Sequence, residues 1–95
     1  MSRQQYRSKI GIMDDILSVT MDAGSQGIIV SSISRRANLS YDAVLKKCQT
    51  LVDAGLLSSK KGSKKHLIVI TEKGMGFFRE FQRFKEVLQS LNLWH

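Results

Sequence analysis

The stretch ISRRANLSYDAVLKKCQTLVDAGLL, residues 33–57, decides the fold of this chain of 95 residues. It holds two helix-forming segments with very little chain between them. Asn38 tolerates the left-handed conformation that ends a helix, and Ser40 offers a hydroxyl that can cap the next one. The stretch therefore predicts a short helix up to Ala37, a tight turn, and a second helix over residues 41–54.

The second helix of this pair is predicted to be amphipathic, because its apolar residues recur on one face at about 100° per residue. The predicted inner face consists of Tyr41, Val44, Leu45, Cys48, Leu51 and Val52. The predicted outer face consists of Asp42, Ala43, Lys46, Lys47 and Thr50. Since Cys48 lies on the inner face, we expect its thiol to be a small core side chain and not a nucleophile.

A β-hairpin is predicted after this helix. Gly55 suits a helix C-terminus, and an extended segment begins at Leu56. A second apolar segment covers residues 67–70, and the polar turn KGSKK, residues 61–65, lies between the two.

Upstream, an amphipathic helix is predicted from an apolar stripe that consists of Tyr6, Ile10, Met13, Ile16, Leu17 and Met21. Gly24 and Gly27 are expected to stop this helix and turn the chain. The β-branched residues 28–30 predict a short strand, after which Ser31 or Ser32 would cap the helix that runs to residue 37.

A long final helix is predicted after Thr71, although Gly74 and Gly76 weaken its start. Its apolar residues alternate spacings of four and three, which is typical of a coiled-coil seam. The seam consists of Phe77, Phe81, Phe84, Leu88 and Leu91. A helix of about 20 residues is about 30 Å long, more than one side of so small a domain covers. We therefore expect the seam to pair two copies, with Phe78 and Trp94 adding apolar surface beside it; packing on the first helix is the alternative.

Positive charge is concentrated in the middle of the sequence. The formal net charge is +7 and the isoelectric point is near 9.9. Residues 35–65 contain eight lysines and arginines and two aspartates, a net +6, whereas residues 1–34 are balanced and residues 66–95 carry +1. Such an excess favours a polyanionic partner, which charge alone leaves open among DNA, RNA and an acidic membrane.

The remaining composition favours one soluble domain in the cytoplasm. A single cysteine forms no internal disulfide, and we find neither a secretory signal nor an apolar run of about 20 residues. His66 and His95 have no partners at metal-ligand spacing, and no acid–base pair or phosphate-cradling glycine loop is present. We expect no enzyme activity, metal, cofactor, small-molecule ligand or membrane attachment.

The order of elements over about residues 6–75 resembles the winged helix-turn-helix fold. It is similar to small archaeal DNA-binding proteins of this fold that dimerise through a C-terminal coiled-coil helix. Residues 33–57 carry the resemblance together with Ile70-Thr71-Glu72-Lys73-Gly74, since "TEKG" opens a long helix after the wing in those proteins. The resemblance implies a mainly α fold with a small β-hairpin wing, an α+β domain over residues 1–95, with a core at 1–75 and a dimerisation helix at 76–95.

The resemblance also implies that the protein binds double-stranded DNA as a dimeric transcriptional regulator or chromatin-type protein of the nucleoid. The helix at 41–54 would enter the major groove, and the wing at 60–66 would follow the backbone. The expected DNA-binding residues are Arg35, Arg36, Ser40, Tyr41, Asp42, Lys46, Lys47, Thr50, Lys60, Lys61, Lys64 and Lys65. Lys46 could address guanine and Thr50 a thymine methyl, but we identify no exposed Arg, Asn or Gln on the central outer face. Phosphate contacts are therefore expected to dominate, with modest sequence preference.

Two other functions stay open at this point. Winged helices also serve as docking domains, and the aromatic C-terminal helix would suit a protein partner. RNA binding lacks the exposed aromatic platform that single-stranded recognition usually needs.

Overall fold

Four helices pack against one end of a small hairpin in the part of the chain described by the computed structural model, residues 8–62 and 65–93. The elements in chain order are α1 (Lys9–Ala23), a 3₁₀ turn (Gly24–Gln26), α2 (Val30–Ala37), α3 (Tyr41–Asp53), β1 (Leu57–Lys61), β2 (His66–Ile70) and α4 (Glu72–Ser90). This order confirms the mainly α fold with a two-stranded antiparallel hairpin and a long last helix. No helix in the described ranges has the length and apolar content that a bilayer span requires.

Local capping chemistry fixes the helix ends much as the sequence predicts. Asn38 is left-handed, with φ 56° and ψ 51°, and ends α2. The Ser40 hydroxyl accepts a hydrogen bond of 3.1 Å from the backbone N–H of Ala43 and so caps α3. Thr71 caps α4 in the same way, at 2.9 Å from the N–H of Gly74. Ser8 caps α1, whereas the predicted stripe residue Tyr6 lies outside the described residues.

The predicted strand over residues 28–30 is wrong, and so is the predicted serine cap. Of these three residues only Ile28 pairs with the hairpin, where it exchanges hydrogen bonds of 3.0 and 2.8 Å with Ile68; Ile29 is extended but has no such pairing. Helix α2 begins at Val30, and its N-cap residue, Ile29, has no capping side chain. This start places Val30 and Ile33 in the core, which compensates for a missing cap that typically contributes about 1 kcal/mol.

The core lies where α1, α2 and α3 meet the hairpin. Its most completely buried apolar side chains are Ile16, Leu17, Ile33, Val44 and Leu57. On α3, Val44, Cys48 and Leu51 are buried as predicted. Tyr41 and Leu45 are not, since 51% and 48% of their surface is exposed. They lie on the flank of α3 that faces away from α1. The buried apolar face of α3 is therefore narrower than the sequence predicts.

Helix α4 packs against α1 through a largely buried polar cluster. Asp14 of α1 accepts hydrogen bonds from Gln82 at 2.7 Å and from Lys85 at 2.6 Å. Phe78 packs against the core beside α1, which corrects the prediction that it adds free apolar surface. The alternative that α4 packs on α1 is therefore realised along one side of α4, while the other side is exposed.

The start of α4 touches the segment that follows α3 with almost no space between their backbones. A Cβ atom on Gly74 would lie 2.0 Å from the carbonyl oxygen of Leu56 and 2.8 Å from Ile70. The Thr71 hydroxyl donates to the carbonyl of Gly55 at 2.7 Å, and the backbone N–H of Thr71 donates to that of Leu56 at 3.1 Å. A glycine that looks like a weak point in the helix is thus required by this contact.

Gly74→Ala is expected to destabilise the protein by about 2 kcal/mol or more, because the new methyl group meets a backbone carbonyl that cannot rotate away. Gly76→Ala is the matched control on the same helix. A Cβ at Gly76 meets nothing within 4 Å, so better helix propensity should stabilise the protein by about 0.5–1 kcal/mol. Urea unfolding of both variants measures the difference, and equal free energies of unfolding would contradict the close contact at Gly74.

Candidate nucleic-acid interface

Helix α3 forms a ridge between two grooves. We call the first the wing groove; it is lined by Ile29, Val30, Ser31, Tyr41, Lys65 and His66. We call the second the α1 groove; it is lined by Lys9, Ile12, Ala43, Lys46, Lys47 and Thr50. The wing groove thus lies between the hairpin and the starts of α2 and α3, which α3 lines with Tyr41, and the α1 groove lies between α1 and α3.

The hairpin places two of its lysines on the side of the wing groove. Lys61 pairs with His66, and cross-strand partners share a face of the sheet. Lys65 lines the groove directly, and its carbonyl closes the turn by accepting the Gly62 N–H at 2.8 Å. Lys60 pairs with Leu67 and lies on the opposite face of the sheet. The predicted contact Lys64 lies outside the described residues.

The outer face of α3 carries one polar reader that the sequence interpretation missed. Gln49 is exposed and donates a hydrogen bond of 3.1 Å to Asp53, so the prediction of no exposed Gln on this face is wrong. Its position three residues after Lys46 and four before Asp53 could have placed it there. Asp42, Lys46 and Thr50 are exposed as predicted, and Lys47 is half-buried.

The two arginines of α2 are not brought to this ridge as a pair. The guanidinium of Arg36 lies 2.6 Å from the carboxylate of Asp22, in a groove towards α4 that Phe78 also lines. Arg35 is exposed and donates to the hydroxyl of Ser32 at 3.2 Å. The Ser40 hydroxyl is engaged in its cap. Lys46, Lys47 and Lys65, together with Lys9 of α1, line the two grooves beside the ridge.

These lysines have no acidic partners in the described structure. Within residues 8–62 and 65–93, none of Lys9, Lys46, Lys47, Lys61 and Lys65 forms an ion pair. Unpaired cations on both sides of the exposed face of α3 are suited to a polyanion that carries negative charge along two parallel strands.

The predicted dimerisation seam is half exposed. Phe84 and Leu91 have 57% and 60% of their surface exposed, whereas Phe81 and Leu88 are both partly buried. Phe77 stacks on Phe81, with ring centroids 6.2 Å apart. Val87 of α4 and Leu93, which follows the end of α4, are also exposed.

The sequence matches the winged helix-turn-helix family over residues 6–89. The chain belongs to this family. In the terms of the family, α3 occupies the place of the recognition helix and the hairpin is the wing. A comparison with curated proteins gave no match.

Several solved structures share this winged helix-turn-helix fold. Sco5413 of Streptomyces coelicolor, a MarR family transcriptional regulator, is 20% identical with a TM-score of 0.76, over 87% of this chain and 59% of that one. YusO of Bacillus subtilis is 18% identical with a TM-score of 0.75, over 86% and 59%. A point mutant of MepR from S. aureus, bound to an oligodeoxyribonucleotide, is 17% identical with a TM-score of 0.73, over 84% and 61%. The chain thus spans about three-fifths of the length of these neighbours, and the likeness is one of fold.

On the inner face of α3, burial raises the pKa of the Cys48 thiol to about 11. The cause is desolvation, because the charged thiolate loses its hydration among Val44, Leu51 and the rest of the core. At neutral pH the thiol is therefore protonated and unreactive, in agreement with its prediction as a core side chain.

We expect Cys48 to react with iodoacetamide far more slowly in the folded protein than after unfolding, because the thiolate population at mildly alkaline pH is about 100-fold lower. Stability should also depend on pH in a defined window. The neutral thiol is favoured in the folded state, so its contribution is full below pH 9 and is lost as pH rises towards 11. Mass spectrometry and urea unfolding measure the two effects, and Cys48→Ala controls for other titrations. Rapid labelling of the folded chain would contradict the burial.

Proposed function

We propose that this protein binds double-stranded DNA as a transcriptional regulator or chromatin-type protein of the cytoplasmic nucleoid. In this proposal α3 enters the major groove and the wing lies along the adjacent backbone. The observation that carries the proposal is the placement of unpaired lysines from the wing and from α3 on the two sides of one exposed helix.

The dimensions of DNA agree with this arrangement. A major groove about 12 Å wide admits one α-helix, whose outward side chains then reach base edges. Gln49 is suited to adenine, since an amide can bond to both N6 and N7, once it exchanges its bond to Asp53 for the base. The lysines supply contacts to phosphates, which give affinity and register with little sequence information. We therefore propose that affinity is mostly electrostatic, with a limited preference set by the centre of α3.

The structural neighbours support the same function. MepR is a transcription regulator of a multidrug efflux pump, and one of its mutants has been solved with an oligodeoxyribonucleotide. Because the shared fold presents a helix and a wing on one side, a similar mode of DNA binding is the simplest use of this chain.

We also propose that two copies pair through the exposed flank of α4. The flank consists of the exposed residues Phe77, Phe84, Val87 and Leu91 and the partly buried residues Phe81 and Leu88. A helix of 19 residues is about 28 Å long, and only one side of it is covered by α1. A two-fold pair would cover the other side and present two recognition helices to one duplex.

Neutralising the wing is expected to weaken DNA binding on every sequence alike. In the double variant Lys61→Gln/Lys65→Gln, the magnitude of the negative slope of log affinity against log salt concentration should decrease by about 1.8, or 0.9 for each lost phosphate contact. The double variant Arg79→Gln/Arg83→Gln removes the same charge from α4 and is the control. Fluorescence anisotropy with labelled duplex measures both, with single-stranded RNA as competitor. If the unmodified protein does not bind duplex DNA at low salt concentration, the proposal is wrong.

The dimer has its own test. Phe84→Glu/Leu91→Glu places two carboxylates in the proposed apolar interface, so it should convert a dimer to a monomer in sedimentation velocity experiments. Ser90→Glu adds charge at an exposed polar position of the same helix and should leave the dimer intact. A monomeric parent protein at micromolar concentration would contradict pairing, and would favour the docking of a different protein on this flank.

A further inference from the structure

The α1 groove brings together cations that are far apart in the sequence. Lys9 belongs to the first turn of α1, whereas Lys46 and Lys47 belong to the middle of α3, yet all three line one groove of about 450 Å³. Residues 1–34 have no net charge, so the charge distribution of the sequence does not draw attention to Lys9. The fold moves this lysine from a neutral segment to the edge of the recognition helix.

The side chains that line this groove favour the binding of an anion. Ile12 and Ala43 form its apolar lining, along which the lysine stems can lie with their ammonium groups towards solvent. No carboxylate lines it, and none of its three lysines has an ion pair within the described ranges. The N-terminus of α1, with Lys9 in its first turn, adds a partial positive charge of the helix dipole.

The position of the groove indicates which anion it takes. A helix in the major groove has one phosphate strand on each side. Tyr41 of α3 lines the groove beside the wing, whereas Ala43 and Lys47 line the α1 groove. At about 100° per residue these positions lie on opposite flanks of α3, so the wing and the α1 groove lie on its two sides. We infer that the α1 groove binds the phosphates of the second DNA strand, with Lys9 as a phosphate contact and Lys47 beside it.

This inference rests on the proposed DNA binding and makes it more specific. The protein then holds the duplex from both sides of the major groove. Lys47, half-buried on the groove side, is assigned to the backbone and not to bases. Sequence preference is left to the residues at the crest of α3, among them Gln49.

The test uses Lys9→Gln and Lys47→Gln, with Arg79→Gln as a control that removes the same charge from an exposed site on α4. Each groove variant should weaken binding several-fold at moderate salt, to the same extent on unrelated sequences. Each should also decrease the magnitude of the slope of log affinity against log salt concentration by about 0.9, whereas the control should leave this slope unchanged. Thermal unfolding should be the same for Lys9→Gln and the parent protein, because Lys9 is exposed.

Phosphate ethylation interference separates this inference from the proposed function. Ethylation should interfere on both strands of each half-site with the parent protein, and Lys9→Gln should lose interference on only one of the two strands within each half-site. If the parent protein does not bind duplex DNA, the proposed function fails. If it binds, and Lys9→Gln retains the parent's salt slope and two-strand pattern, the proposed function stands and the inference about the α1 groove is overturned.

Discussion

The burial of one face of α3 is the contact on which the rest of the molecule depends. Val44, Cys48 and Leu51 share a cluster with Ile16 of α1 and Leu57 of the hairpin. Since the helix has 3.6 residues per turn, fixing these three positions inside also fixes which residues point outward. The same contact therefore shapes both the core and the candidate DNA-binding ridge, and a substitution that rotated α3 would alter the two together.

The second constraint concerns α4 and works through polar atoms. Asp14 is 7% exposed, and its carboxylate is satisfied by Gln82 and Lys85, with the Lys85 ammonium 6.0 Å above the ring of Phe81. A buried charge is costly unless it is paired, so this cluster permits few alternative positions of α4. Apolar packing alone, by contrast, would let α4 slide along α1. The polar cluster thus specifies the side of α4 that stays free.

Features set by local chemistry could be predicted from the sequence, and features set by distant contacts could not. Asn38, Ser40 and Thr71 end or cap helices through hydrogen bonds to residues three or four positions away. Their roles could therefore be predicted from their positions relative to the helix-forming segments. The start of α2 was mistaken because Ile28 pairs with Ile68, forty residues further along the chain. The candidate site divides in the same way. The outward position of Lys46 follows from helical periodicity, whereas the approach of Lys9 to α3 depends on how α1 packs.

The contact between Gly74 and Leu56 has a mechanical consequence. Two backbones meet there without side chains between them, so the start of α4 cannot move closer to the segment that follows α3. A tilt of α4 would therefore require a shift of the backbone near Leu56, three residues after the end of α3. In a two-fold assembly, the distance between the two α3 helices would then depend on the angle at which the two α4 helices cross. A change in that angle would change the spacing of DNA half-sites that both subunits could bind at the same time.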